Sequence, residues 1–119
     1  MGMSFVRSFD ELPCERKKMF GGSGEAIMYK LLNGAEEMYG KGRVFNYIRL
    51  EKDCEVAWHI HNGDGETYFI LKGEGEYSDN GKIVTLKAGD VSFVDDGEGH
   101  SLINKKDEPL EAIALILYK

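Results

Sequence analysis

Glycine punctuates this chain at short intervals, and no stretch between the glycines carries a convincing amphipathic helix. That pattern constrains the fold more than any other feature of the sequence. Among 119 residues there are 15 Gly and only 2 Pro, which suits many tight turns between short strands. The intervening runs are rich in Val, Ile, Phe and Tyr and alternate apolar with polar residues, as half-buried strands do. Gly24 to Leu32, Arg43 to Glu51, Glu55 to His61 and Glu66 to Leu71 read as strands. So do Glu76 to Ser78, Lys82 to Leu86, Asp90 to Val94, Gly99 to Asn104 and Leu110 to Tyr118. Asp79-Asn80-Gly81 is the strongest hairpin signal, while Asn33 to Gly40 and Asn62 to Gly65 read as loop and turn. Such spacing predicts an all-β sandwich or barrel in one domain over residues 1–119.

The first 23 residues form an arm outside that pattern. Ser8-Phe9-Asp10-Glu11 resembles a capping box, but Pro13 ends any helix almost at once, so one turn followed by irregular chain is expected. Gly21-Gly22-Ser23-Gly24 is a flexible connection.

Charge and hydropathy narrow the function. A net charge of -6 repels phosphate backbones and anionic lipid, which argues against nucleic-acid and membrane-surface partners. The longest apolar run, Ala112 to Tyr118, falls far short of the roughly 20 residues of a membrane span. The opening residues lack an apolar signal region, and Val6 stands where an acylation motif after Gly2 wants Ser or Thr. The expected address is the cytoplasm. Cys14 and Cys54 lack metal-type spacing and read as small buried hydrophobes with reduced thiols. The last strand is apolar on both faces, with Leu110, Ala112, Ala114 and Ile116 on one side and Ile113, Leu115 and Leu117 on the other. In the Glu55 to His61 run, simple alternation sets Val56, Trp58 and Ile60 opposite His59 and His61. Both patterns predict a homodimer that covers Trp58 or the C-terminal strand.

The chain owns three histidines, His59, His61 and His100. His59 and His61 lie two apart in an extended run and point the same way. Glu66 follows a turn and can return to that side, and His100 comes from a later strand. Each feature alone is ordinary: a histidine pair on a strand, a glutamate at a strand end, a histidine in a turn. Together, three imidazoles and one carboxylate suit a borderline divalent metal.

The spacing resembles that of the cupin superfamily. Its first motif, G-x5-H-x-H-x3–4-E-x6-G, matches His59, His61, Glu66 and Gly73. Its second, G-x5-P-x-G-x2-H-x3-N, matches Gly89, Gly97, His100 and Asn104. The core of the match spans residues 58–104. Asp53 replaces the opening glycine of the first motif and Asp95 the proline of the second, which puts loop shape in doubt. The resemblance implies a double-stranded β-helix, or jelly-roll barrel. It implies one divalent transition metal (Mn, Fe, Ni or Zn) on His59, His61, Glu66 and His100, with room for a small oxygen-chelating acid or sugar derivative.

Similar proteins include dioxygenases, decarboxylases and isomerases, so an enzyme is expected, with a non-catalytic small-ligand or sensor module as the alternative. A metal-free structural barrel is a third reading. Tyr68 shares the face of Glu66 and is the candidate catalytic donor to a bound oxyanion. Glu98 shares the parity of His100 and is a candidate acceptor for an imidazole N–H. Which face of the Arg43 to Glu51 strand looks inward stays open.

Overall fold

The computed structural model describes residues 4–119; Gly2, the residue of the acylation reading, lies outside them. Ten strands form two antiparallel sheets. They are β1 (Cys14–Lys17), β2 (Ala26–Leu32), β3 (Gly42–Leu50), β4 (Glu55–Ile60), β5 (Asp64–Lys72), β6 (Glu74–Asp79), β7 (Lys82–Lys87), β8 (Val91–Val94), β9 (Gly99–Ile103) and β10 (Leu110–Tyr118). One sheet runs β1-β2-β3-β10-β5-β8 and the other β4-β9-β6-β7. This is the expected jelly roll.

The core lies between the sheets. Leu50, Leu102 and Leu110 are fully buried, and each contributes roughly 1.5–3 kcal/mol by leaving water. The inner face of β10 carries small side chains at its middle: Ala112 and Ala114 are fully buried, and Ala114 pairs with Tyr68 of β5 and Asn46 of β3. Small groups at that level leave space inside the barrel, and Ala114 lines the cavity described below.

Turn chemistry follows the sequence at the β6–β7 hairpin, where Asn80 (φ 53°) and Gly81 (φ 98°) both adopt the left-handed backbone. The closing glycine of the first motif, Gly73, has φ 79°, and a Cβ there would lie 2.5 Å from the carbonyl oxygen of Pro109. Asp53, in place of the opening glycine, takes the same left-handed conformation (φ 63°). Aspartate tolerates that region better than most residues, so the turn survives the substitution. The motif asparagine, Asn104, is fully buried. Its amide nitrogen donates to the carbonyls of Leu50 and Glu108, both at 2.9 Å, and its Oδ1 accepts from Lys106 N–H at 2.9 Å. It staples the loop before β10.

Four expectations are corrected. The arm is not irregular beyond its turn at Phe9–Glu11, because Cys14–Lys17 pairs with β2 as an edge strand. A polar, exposed edge strand carries no burial pattern to read. Cys14 on that strand is exposed, not buried; Cys54 is half-buried against the core. The loop after β2 contains one helical turn, Gly34–Glu37, and Glu37 takes a two-pronged ion pair from Arg7 of the arm (2.9 and 2.7 Å). Finally, Val56 is buried in the core instead of lying opposite the histidines. The pairing of β4 with β9 shifts register between Val56 and His59. Such a bulge adds a residue and resets alternation. Val56, His59 and His61 therefore all reach the barrel cavity, while Trp58 and Ile60 remain about half exposed outside.

Candidate metal centre

The bulged strand β4 delivers His59, His61 follows directly after its last residue, β5 delivers Glu66 and β9 delivers His100. Their donor atoms all lie within 4.8 Å of one another. The three Nε2 atoms are 3.2 Å (His59–His61), 3.2 Å (His61–His100) and 3.0 Å (His59–His100) apart. Glu66 Oε1 lies 2.9 Å from His100, 3.3 Å from His61 and 3.6 Å from His59. Glu66, His61 and His100 are buried.

The outer acceptors define the tautomers of His59 and His61. His59 Nδ1–H donates to the Ala57 carbonyl at 2.8 Å. His61 Nδ1–H donates to Asp64 Oδ1 at 2.7 Å, and His100 Nδ1 lies 2.9 Å from Tyr77 Oη, a hydroxyl able to accept its proton. With protons on Nδ1, each Nε2 presents a lone pair toward the same point, where Glu66 adds a carboxylate oxygen. Four electron-rich atoms facing each other repel unless a cation lies between them, so the donor set fits a divalent transition metal. Donors about 2.1 Å from one ion are ~3.0 Å apart at right angles and ~3.4 Å apart in a tetrahedron. The nitrogen separations of 3.0–3.2 Å lie within this range, so the three nitrogens are spaced as donors to one ion would be.

The titratable groups of the cluster are shifted in different directions. Without a cation the ring protons can face inward on Nε2; burial then pushes the Glu66 carboxyl upward, but hydrogen bonds from His100, His59 and His61 outweigh it and hold the group far below the usual carboxylate range. The hydrogen bond to Glu66 raises His61 above 6.5, against burial, with help from Asp64. Burial lowers His100, partly offset by Glu66. Tyr68 is pushed well above 10 by burial and the neighbouring Glu66 charge, and Tyr77 by burial to about 12.

A cavity of about 100 Å³ opens on this cluster, several times what one ordered water needs. Its polar lining is Arg43, Asn46, His59, His61, Glu66 and Tyr68; Met19, Phe20, Met28 and Ile48 supply apolar wall. The inward face of β3 is therefore Val44, Asn46 and Ile48, and Tyr47 pairs outward with Glu111. Tyr68 is buried at the cavity wall with its ring stacked on His100 (5.1 Å, 8°).

Asp64 is the residue that turn chemistry concealed. Asn62 to Gly65 reads as a turn, yet β5 starts at Asp64 and its carboxylate is buried. One oxygen accepts from His61 and the other from Arg43 Nε at 2.8 Å. Phe20 is also unanticipated; its ring stacks on His59 at 4.1 Å and 13°. Glu98 does not accept from an imidazole. Its carboxylate accepts from Asp95 N–H at 3.0 Å and from Asn80 Nδ2 at 3.2 Å, fastening the turn before β9. The Asp95 bond is one that the motif's proline, lacking an N–H, could not make.

Two antiparallel sheets enclosing three imidazoles and one carboxylate at a cavity floor define a double-stranded β-helix with a metal-type site. Comparison with known proteins agrees. Residues 46–116 match the family described as the cupin domain. The chain belongs to the cupin family. It is 45% identical over 112 residues to an oxalate-binding protein from Thermotoga maritima, covering 94% of this chain and 92% of that protein. The crystal structure of a predicted oxalate decarboxylase from Thermotoga maritima superposes with a TM-score of 0.91 at 43% identity, covering 97% of this chain and 100% of that one. A Klebsiella pneumoniae protein with a double-stranded β-helix domain gives 0.71 at 26% identity, covering 98% and 91%.

Proposed function

We propose that this chain binds a small two-oxygen acid of the oxalate class at one divalent transition metal held by His59, His61, Glu66 and His100. The observation that carries the reading is the convergence of four lone-pair donors on the floor of a small cavity whose polar rim is cationic and amide. Similarity to an oxalate-binding protein supports the same ligand class. The bound ion supplies a Lewis acid to the ligand's oxygens.

The chain's own residues do the rest. Asp64 fixes the His61 ring and holds Arg43 by Nε, leaving the terminal guanidinium nitrogens for an anion. Asn46 adds an amide to the wall. The ring of Tyr68 braces His100, and its hydroxyl, inward beside Glu66, is the donor we assign to a ligand oxyanion. The apolar wall excludes water and strengthens these contacts. Loss of carbon dioxide from oxalate would require a proton delivered to carbon to give formate. Glu66 is the carboxylate on the cavity wall and belongs to the ligand set, and burial beside that charge makes Tyr68 hold its proton more tightly. Holding the acid is therefore the first reading.

Turnover as a decarboxylase, dioxygenase or isomerase is the second reading, favoured by the completeness of the ligand set. Calorimetry of oxalate against metal-loaded and metal-stripped protein tests the first, with formate release followed in parallel. Equal heats with and without metal would reject it.

We further propose a homodimer through the outer face of the six-stranded sheet. Phe69, Val91 and Phe93 are strongly exposed there, on strands β5 and β8 paired beside β10. They continue the apolar outer face of Ile113, Leu115 and Leu117, and an apolar area of this kind marks a contact surface.

A further inference from the structure

Phe20 is hard to explain as packing. It is 58% exposed, yet its backbone is left-handed at φ 55°, a conformation that bulky residues rarely adopt. Strain at an exposed residue that touches a site points to a role at that site. The ring lies parallel to His59 and forms part of the cavity wall with Met19.

The chain on either side is strapped to β4. Met19 forms a parallel bridge with Val56, and Gly22 N–H donates to the Met19 carbonyl at 3.0 Å. Ser23 N–H and Oγ–H both donate to Glu55 Oε2, at 2.9 and 2.8 Å. Glycines sit where side chains would collide: a Cβ at Gly22 would lie 2.7 Å from Glu55 Cγ, and one at Gly24 would run into Cys54 Sγ. The strap thus holds one aromatic ring over the cavity mouth instead of letting it swing free.

We propose that Phe20 is the specificity-determining residue of this site, closing the cavity to about 100 Å³ so that two- and three-carbon diacids enter and longer or aromatic ones do not. The assignment rests on the metal-and-diacid reading above and adds the residue that sets ligand size. Arg43, Asn46 and Tyr68 recognise oxygen atoms and are indifferent to chain length; Phe20 is the wall a longer ligand meets.

The test compares wild type, Phe20→Ala and Phe20→Leu, each full-length and manganese-loaded, with far-UV circular dichroism confirming the fold. Calorimetry with oxalate, malonate, succinate and phthalate gives the affinity series. Wild type should favour oxalate. Phe20→Ala should gain at least about tenfold for succinate and phthalate relative to oxalate, with Phe20→Leu between the two. A second readout uses no diacid: EDTA should strip manganese from Phe20→Ala several-fold faster than from wild type, because the mouth is open. Wild type that loads manganese and binds oxalate, with size ratios unchanged within about twofold in both variants, overturns the Phe20 assignment and leaves the parent reading standing. Wild type that takes no manganese overturns both. If manganese loads but no diacid binds, the diacid reading fails, and equal stripping rates then overturn the Phe20 assignment as well.

Discussion

Asp64→Asn probes the least obvious part of the site. Asp64 accepts from His61 Nδ1–H at 2.7 Å and from Arg43 Nε at 2.8 Å, and it is buried. Asparagine keeps one acceptor oxygen and turns its amino group toward the other donor, so one of the two bonds becomes a donor–donor contact. Hydrogen-bond partners of metal-bound histidines are worth about 10- to 100-fold in metal affinity, or roughly 1.4–2.7 kcal/mol. Asp64→Asn should fall at the low end, near tenfold, and Asp64→Ala, which removes both bonds, at the high end. Competition titration against a fluorescent chelator with Mn(II) or Zn(II) measures this. The control is Asp107→Asn, which removes the same charge at an exposed position paired with Lys52 (2.9 Å) and should change affinity less than about twofold. Affinities of Asp64→Asn and Asp64→Ala matching the control would refute the idea that Asp64 orients His61.

Four further outcomes follow from the geometry. Metal affinity should fall with acid, starting above pH 6.5, because Glu66 raises His61 and a proton there competes with the ion; titrations flat between about pH 5.5 and 8 would contradict this. Without metal the sign differs. The raised His61 stabilises the fold below 6.5 and loses that contribution as pH rises through its folded value, whereas Glu66 stabilises above 4.5 and loses its contribution as pH falls toward its depressed value. Gly73→Ala should destabilise by more than the roughly 1–3 kcal/mol of left-handed strain, because its Cβ meets Pro109 O at 2.5 Å, while Gly89→Ala (φ 92°) has open space and should show the strain alone. Equal midpoints in urea would contradict that contrast. The proposed dimer should appear by light scattering in wild type and give way to monomer in Phe93→Glu, since Phe93 is exposed in the apolar outer face; a monomeric wild type would refute the dimer, and a variant that stays dimeric would place the interface elsewhere.

Much of the site was legible because its four members depend on local rules. His59 and His61 share a face by strand alternation, Glu66 returns across one turn, and His100 follows a glycine-rich turn onto β9. Hairpin chemistry at Asn80-Gly81 was equally local. What stayed hidden depends on pairing. The bulge that turns Val56 inward exists only in register with β9, so alternation along β4 misplaced it. Asp64 looks like a turn residue until β5 and β3 bring His61 and Arg43 to either side of it. Phe20 reaches His59 through a strap tied to Glu55 and Val56, contacts more than thirty positions away that no periodicity announces. The edge strand β1 has no buried face to betray it.

The most direct test of the account is elemental analysis of protein purified without a nickel column and then loaded with Mn(II) or Zn(II) and desalted. The account predicts about one ion per chain in wild type and less than about a tenth of that in His100→Ala and His59→Ala. Wild type that retains no metal, or histidine variants that retain as much as wild type, would contradict it.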